Sequence, residues 1–180
     1  ITLMPGSRKQ EIKKILPIFI DVVNKFKSYQ FVIAAAPSIE SEFYLSIVKN
    51  NSIKIIHNKT YNLLIHSKAA LVTSGTATLE TALLKIPQLV CYKTSFVSFF
   101  IAKRLVKLNY ISLVNLILNK EVVKELIQKN CNAKKITEEL KELLMKKNKS
   151  ILKEYELLFK KIGNNKASKI TSKLIINSIK

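Results

Sequence analysis

The stretch Thr73-Ser-Gly-Thr-Ala-Thr-Leu-Glu80 joins an apolar segment to an amphipathic one through a single glycine. The segment before it, Ala69-Ala-Leu-Val-Thr73, has the composition of a buried parallel strand. After the Ser74-Gly75 turn, apolar residues recur at helical spacing, and the side chain of Thr76 is of the type that caps helices. The sequence therefore predicts a strand, a tight turn and a helix that begins at Thr76.

A helix start of this kind favours a bound anion. Its first backbone N–H groups lack helical partners, and the macrodipole adds roughly half a positive charge there. Gly75 has no Cβ to keep a phosphate from the backbone, and Ser74 and Thr76 add hydroxyl groups. Glu80, a little over one turn into the helix, could accept hydrogen bonds from two sugar hydroxyls. An ordinary strand-to-helix turn with a solvated Glu80 fits the same residues.

A second turn of this type lies near the start of the chain. A strand over Ile1–Met4 leads into a turn that contains Gly6, Ser7 and Arg8, and a helix of 3.6-residue period follows. Gly6 and Ser7 would present backbone and hydroxyl donors at the helix start, and the planar guanidinium of Arg8 suits a phosphate. Pro17 lies inside this helix and predicts a kink or a break.

Three further apolar segments, at 31–36, 53–56 and 87–92, predict strands, with helices at 38–48 and 61–67 between them. Five strands that alternate with helices through short connections predict an α/β fold, a Rossmann-like parallel sheet with helices on both faces. Ligands of such sheets bind beyond the carboxyl ends of the strands. Both glycine turns lie at that edge, so we expect them to converge on one site.

The pattern changes after residue 94. Residues 95–107 predict a helix in which aromatic residues stand beside a basic end, and such a segment can rest on a membrane or grip an acyl chain. Packing on the sheet or on another domain explains the aromatic residues equally well. The candidate membrane or acyl-chain contacts are Phe96, Phe99, Phe100, Lys103 and Arg104.

Residues 110–118 predict an extended or irregular apolar stretch with Asn115 in its middle. The amide of Asn115 needs hydrogen-bond partners among apolar neighbours, and either a ligand or a loop backbone could supply them.

The last third of the chain predicts helices with lysine-rich outer faces, in four segments: 121–128, 132–147, 150–162 and 166–180. We expect residues 1–130 to form the ligand-binding Rossmann-like domain and residues 131–180 a helical extension packed on it. The chain opens on a strand with no initiator methionine, so we expect a preceding domain to be missing.

The formal net charge of +19, from 31 basic and 12 acidic residues, invites a nucleic-acid hypothesis. Only Arg8 and Arg104 are arginines, whereas nucleic-acid surfaces favour arginine interleaved with aromatic residues. We therefore interpret most of the charge as a lysine-rich solvated surface, which still attracts anionic lipid headgroups.

Cys91 and Cys131 are too few for a disulfide framework and lack metal-ligand spacing, so cytosolic thiols are expected. His57 and His66 also stand alone, and the sequence predicts no metal site. It contains no apolar run of membrane-spanning length and no signal-peptide pattern.

Four groups of segments resemble the lipid-A-disaccharide synthase family, bacterial glycosyltransferases with the two-Rossmann-domain architecture called GT-B. They are Leu3-Met-Pro-Gly-Ser-Arg8 with Glu11-Ile12; Ser74-Gly-Thr-Ala-Thr-Leu-Glu80; Phe100-Ile-Ala-Lys-Arg-Leu-Val-Lys107; and Tyr110-Ile-Ser-Leu-Val-Asn-Leu116 with Glu121-Val-Val-Lys-Glu-Leu126. They lie in the family's order and span nearly the whole chain. The chain departs from the family at Val114, where proline is usual, and near Asn119, where glycine is usual.

The resemblance implies transfer of a 2,3-diacylglucosamine unit from UDP to 2,3-diacylglucosamine 1-phosphate, which forms the lipid A disaccharide, without a metal or cofactor. It implies that this chain is the C-terminal, donor-binding half and is inactive alone, the catalytic base lying on the missing domain. Carried over by position, Gly6, Ser7 and Arg8 would line the nucleotide site. Ser74, Gly75 and Thr76 would hold the diphosphate, Glu80 would bind ribose and Asn115 would face the donor.

The partners implied are the UDP-linked acylated sugar, the lipid acceptor, an anionic membrane surface, and an N-terminal domain or a second copy; nucleic acid is not among them. The implied location is the cytoplasm, peripheral to the inner membrane. Three alternatives stay open on the sequence. One is another GT-B enzyme that uses UDP-sugars, of the peptidoglycan transferase or UDP-N-acetylglucosamine 2-epimerase type. The second is a non-catalytic basic module that binds nucleic acid, and the third is a transferase remnant without activity.

Overall fold

The structure is a computed structural model that describes residues 1–49, 53–73, 75–94, 109–145 and 148–163. The first half of this part alternates strands and helices: β1 Thr2–Met4, α1 Lys9–Val23, β2 Val32–Ala35, α2 Ser41–Val48, β3 Lys54–His57, α3 Thr60–Ile65, β4 Ala70–Thr73, α4 Thr76–Leu83 and β5 Gln88–Tyr92. The second half contains α5 Leu113–Leu118, β6 Lys124–Ile127, a 3₁₀ turn Gln128–Asn130, α6 Ala133–Met145 and α7 Asn148–Ile162.

The six strands form one parallel sheet in the order β3-β2-β1-β4-β5-β6. This is the doubly wound Rossmann order. Strands β1 to β3 are added toward one edge of the sheet, and strands β4 to β6 are added toward the other edge. Met4 pairs with Val72 in that central register, so β1 and β4 end side by side. The predicted Rossmann-like α/β fold is confirmed.

Strand β4 shows how the two faces of the sheet are filled. All four of its residues are buried, as expected for a central parallel strand. Leu71 and the preceding Ala69 belong to the large core cluster that also contains the buried face of α1, whereas Ala70 and Val72 belong to a smaller cluster with Leu64 of α3. Alternating side chains of one strand therefore serve cores on opposite faces, with helices over both.

The prediction of a helix at 121–128 is wrong, because strand β6 occupies Lys124–Ile127. Strand β6 pairs in parallel with residues Leu89–Tyr92 of β5, and Cys91 lies opposite Leu126. An available hydrogen-bonding edge on β5 overrides the weak helical spacing of this short segment. The sheet consequently has six strands where the sequence pattern indicated five.

The expectation of an extended stretch at 110–118 is also wrong. Helix α5 occupies Leu113–Leu118, with Ser112 as its N-cap: the Ser112 hydroxyl accepts a hydrogen bond from the backbone N–H of Asn115 at 3.3 Å. The helix ends at Asn119, whose φ of 53° is left-handed. Asparagine tolerates this left-handed conformation better than most residues that have a side chain.

Pro17 does not split the first helix, since α1 runs without interruption over Lys9–Val23. Pro17 itself is exposed, while its neighbours Leu16 and Phe19 are fully buried in the core. The packing of this buried face offsets the backbone hydrogen bond that proline cannot donate. Helix α2 begins later than expected, at Ser41, and its N-cap residue is Glu40.

The two later helices pack against the sheet domain. Ile136, Leu140 and Leu143 of α6 are at most 1% exposed and belong to the same core cluster as α1. Tyr155 of α7 is also buried, and its hydroxyl accepts a hydrogen bond from Gln88 Nε2 at 3.2 Å. Burial raises the pKa of Tyr155. The helix expected at 166–180 lies outside the described residues.

Candidate functional site

The two glycine turns lie at the same edge of the sheet. Gly6 follows β1 and Gly75 follows β4, and these strands are parallel neighbours. A cavity of about 870 Å³ opens between the two turns, at the carboxyl ends of the strands. Of the predicted nucleotide-site residues, those that line it are Gly6, Ser7, Arg8, Gly75, Thr76 and Glu80. Ser74 lies outside the described residues.

The Gly6 turn is held by Glu11 from the first turn of α1. Gly6 has a φ of 117°, which strains any residue with a side chain, and a Cβ at this position would lie 2.7 Å from Glu11 Oε2 and 2.9 Å from Glu11 Cβ. The same Oε2 accepts a hydrogen bond from the backbone N–H of Ser7 at 3.3 Å. The turn thus requires glycine because the Glu11 side chain packs directly on its Cα.

Arg8 occupies the N-cap position of α1, where no side chain caps the helix. Its guanidinium lies 3.6 Å from Glu11 Oε1 and remains 82% exposed. An exposed ion pair of this length contributes little to stability. The guanidinium is therefore free to turn toward an anion at the start of α1, where the helix dipole also favours negative charge.

At the second turn, the N-cap of α4 is Gly75 and not Thr76, which is the first helical residue. Gly75 has a φ of 144°, a backbone conformation that residues with a side chain rarely adopt. A Cβ built on it would have no neighbouring atom within 4 Å. The backbone of Gly75 therefore faces open space in the cleft. The hydroxyl of Thr78 donates to the Gly75 carbonyl at 2.8 Å and holds the turn from inside.

Glu80 lies in the second turn of α4 and is half-buried, with its side chain on the wall of the cleft. The start of α3 and the turn after β2 also line the cleft. Ala36 in that turn is held by Tyr44, whose phenol oxygen accepts a hydrogen bond from the Ala36 N–H at 2.9 Å. Burial raises the pKa of Tyr44, so the phenol stays protonated at neutral pH.

Asn115 is not among the residues that line this cleft. It is fully buried, and its amide donates to Val123 O and Glu125 Oε1, each at 2.8 Å. Its Oδ1 accepts from the N–H groups of Val122 at 2.8 Å and Val123 at 2.9 Å. Glu125 in turn accepts from the backbone N–H groups of Ile111 and Ser112. The side chain thus ties α5 to the start of β6, the loop-holding alternative left open by the sequence.

Sequence reasoning did not single out the residues of the α3 wall and the floor. They follow or end the neighbouring strands: Ala34, Ala35, Ala36, Pro37, Asn58, Lys59, Thr60, Tyr61, Asn62, Thr73 and Tyr92. Their common signal is position, because the carboxyl ends of parallel strands meet at one edge. The strand order needed to use that signal is not readable from local patterns.

Within residues 1–49, 53–73, 75–94, 109–145 and 148–163, no three His, Cys, Asp or Glu side chains lie together as a metal site would need. In the same ranges no helix has both the length and the apolar character to cross a bilayer. The predicted membrane or acyl-chain contacts Phe96, Phe99, Phe100, Lys103 and Arg104 lie outside the described part of the chain.

In a solved structure of a Listeria monocytogenes protein, assigned as a UDP-N-acetylglucosamine 2-epimerase, the same fold recurs. The match has a TM-score of 0.54 and 18% sequence identity, and covers 86% of this chain and 38% of that one. At this level of identity the likeness concerns the fold alone.

Lipid-A-disaccharide synthases are clear relatives in sequence. The chain is 39% identical over 147 residues to that of Persephonella marina, covering 74% of this chain and 38% of the relative. It is 33% identical over 193 residues to that of a Sulfurihydrogenibium species, covering 97% and 50%, and 32% identical over 189 residues to that of Syntrophus aciditrophicus, covering 100% and 49%. The chain thus spans at most about half the length of these relatives. The sequence profile of the lipid-A-disaccharide synthetase family matches residues 1–177, and the chain belongs to this family.

Proposed function

We propose that this chain is the half of a lipid-A-disaccharide synthase that binds the UDP-linked sugar donor. The observation that carries the proposal is the single cleft at the β1/β4 switch point, which both glycine turns and Glu80 line. Two helices of eight or more residues, α1 and α4, begin at this cleft, so backbone N–H groups and dipole ends of both favour an anion there. A nucleoside diphosphate matches this site, because the two helix N-termini suit its phosphates and the Glu80 carboxylate, one turn into α4, suits its ribose hydroxyls.

In this proposal the diphosphate lies between the turns, within reach of the Gly75 backbone and of Ser7. Arg8 leaves its long contact with Glu11 and pairs with a phosphate, a stronger charge-assisted interaction. Glu80 accepts hydrogen bonds from the ribose hydroxyls. We assign contacts with the acyl chains or with an anionic membrane surface to Phe96, Phe99, Phe100, Lys103 and Arg104, because aromatic residues beside basic ones suit such a partner.

The proposed reaction transfers 2,3-diacylglucosamine from UDP to 2,3-diacylglucosamine 1-phosphate by direct displacement with inversion. Negative charge develops on the UDP leaving group, and Arg8 together with the starts of α1 and α4 stabilises it. A general base must deprotonate the acceptor hydroxyl, and we assign it to the other half of the enzyme. We therefore expect this chain alone to bind UDP and to turn over no substrate, with residues after 130 acting as a packing extension.

Isothermal titration of the chain with UDP, together with an Arg8→Ala variant, tests the proposal. We expect saturable, weak binding at one site by the parent chain. The variant should bind about 10-fold more weakly, because a charge-assisted hydrogen bond contributes about 1.5–3 kcal/mol when fully formed and Arg8 is partly solvated. Unfolding of the variant should be unchanged, since Arg8 is exposed.

Lys141→Ala is the matched control, because Lys141 is an exposed cation on α6. Its substitution removes the same charge as Arg8→Ala from a chain of net charge +19. UDP affinity of this control should stay near the parent value. Absence of UDP binding by the parent, or equal weakening in both variants, would contradict a specific donor site. The second result would instead point to a general attraction of anions by the basic surface.

A further inference from the structure

Thr73, the last residue of β4, contains a hydroxyl that packing does not explain. The residue is 4% exposed, and its Oγ1 is buried without a hydrogen-bond partner in the part of the chain that the structure describes. Buried hydroxyls in proteins nearly always have a partner, because an unpaired one is destabilising. A valine would fill the same space without that cost. The hydroxyl of Thr73 therefore indicates a partner beyond the described residues, and a ligand in the cleft can be that partner.

The position of Thr73 points to the cleft. It lies on the cleft floor, two residues before Gly75, as Met4 of the neighbouring strand lies two residues before Gly6. Side chains alternate along a strand, so Thr73 shares the face of Ala69 and Leu71, which belong to the core cluster beneath α1. The Thr73 side chain is thus directed to the side of the sheet where α1 begins, between the two turns.

The rest of the floor around Thr73 is formed by apolar residues, two of which have small side chains. Met4, Ala34 and Ala35 line it from β1 and β2. The small alanines leave room for a ligand group to approach the strand ends. Rotation about χ1 of Thr73 moves Oγ1 between staggered positions, and the contact proposed below requires the position that brings Oγ1 to the cleft.

We propose that Thr73 is a further donor-binding residue, whose hydroxyl donates a hydrogen bond to the diphosphate of the UDP-linked ligand. The inference rests on the proposed function, since it names a contact within the same site. A hydroxyl is a suitable donor to a phosphate oxygen, and the start of α1 and Arg8 favour negative charge on this side of the sheet. The contact adds to the two turns a third, central donor at the bottom of the cleft.

The test compares Thr73→Val, which keeps the shape and removes the hydroxyl, with Thr73→Ser, which keeps the hydroxyl. Titration with UDP should show about 10-fold weaker binding by Thr73→Val, equivalent to about 1.4 kcal/mol, and near-parent binding by Thr73→Ser. The thermal midpoint of Thr73→Val should equal or exceed that of the parent, because the unpaired hydroxyl is gone. A packing role would instead lower the midpoint and leave the affinity of the folded protein unchanged.

Uridine, which has no phosphate, serves as the second probe by competition in ligand-observed NMR. Thr73→Val should bind uridine as the parent does. Equal UDP affinity of parent and Thr73→Val, or equal losses for UDP and uridine, would overturn this inference and leave the proposed function standing. Failure of the parent to bind UDP at all would overturn both.

Discussion

Replacement of Asn115 by alanine is expected to lower the free energy of unfolding by about 4 kcal/mol. The change removes the partners of the N–H and the C=O of Val123, a residue with no exposed surface. Each buried polar group left without a partner costs about 1–3 kcal/mol. The N–H of Val122 keeps its hydrogen bond to the Lys120 carbonyl, and Glu125 Oε1 keeps the hydrogen bond from the Ser112 N–H. These two groups therefore contribute less to the lost stability. Urea denaturation of parent and variant measures the difference.

Asn24→Ala is the matched control, because Asn24 is an exposed asparagine at the end of α1. Its effect should stay within about 0.5 kcal/mol, as for most surface substitutions. A variant of Asn115 with parental stability but weaker UDP binding would contradict the structural role. That result would favour the donor contact implied by the family resemblance.

Gly6→Ala is expected to destabilise the chain by about 2–6 kcal/mol and to weaken UDP binding as well. A φ of 117° costs a residue with a side chain about 1–3 kcal/mol. The new Cβ would also approach Glu11 to 2.7 Å, and forced overpacking typically costs about 1–3 kcal/mol more. To relieve the clash, the turn or Glu11 must move, which displaces Ser7 and Arg8 from the start of α1. Urea denaturation and UDP titration measure the two effects.

Gly75→Ala separates backbone strain from the clash. Gly75 also has a positive φ, of 144°, but an added Cβ there meets nothing within 4 Å. We expect it to cost about 1–3 kcal/mol from strain alone. Substituting Glu11 by alanine in the Gly6→Ala background removes the nearest clashing atom and should recover part of the lost stability. If Gly6→Ala were no more destabilising than Gly75→Ala, the packing of Glu11 on Gly6 would be irrelevant to the turn.

The two glycine turns show which parts of the site can be predicted from local sequence. Gly6 and Gly75 each stand between an apolar segment and an amphipathic one, and both have the positive φ that glycine permits. Arg8 is the N-cap residue of the helix after Gly6, and Glu80 lies in the second turn of the helix after Gly75, so their place on the cleft follows from the local chain path. Thr73 was within the quoted stretch, but its unpaired hydroxyl depends on neighbours that are distant in sequence.

Asn115 shows the opposite case. A lone amide among apolar residues needs partners, but the sequence does not say whether a ligand or the backbone supplies them. The answer depends on where residues 122–125 lie, and they lie beside Asn115 because β6 pairs with β5. The same pairing converts a segment with helical spacing into a strand.

The amino-acid pattern was sufficient to predict a Rossmann-like α/β fold, strand–turn–helix units at both glycines and, in the last third, the two helices α6 and α7. Dihedral preferences and hydrophobic periodicity are local, and each of these features extends over one or two elements. Only the tertiary structure showed four features: the strand order, the sixth strand, helix α5 and the set of segments that together line the cleft. They depend on hydrogen bonds and apolar contacts between segments far apart in sequence, whose free energy outweighs the small local preferences of any one segment.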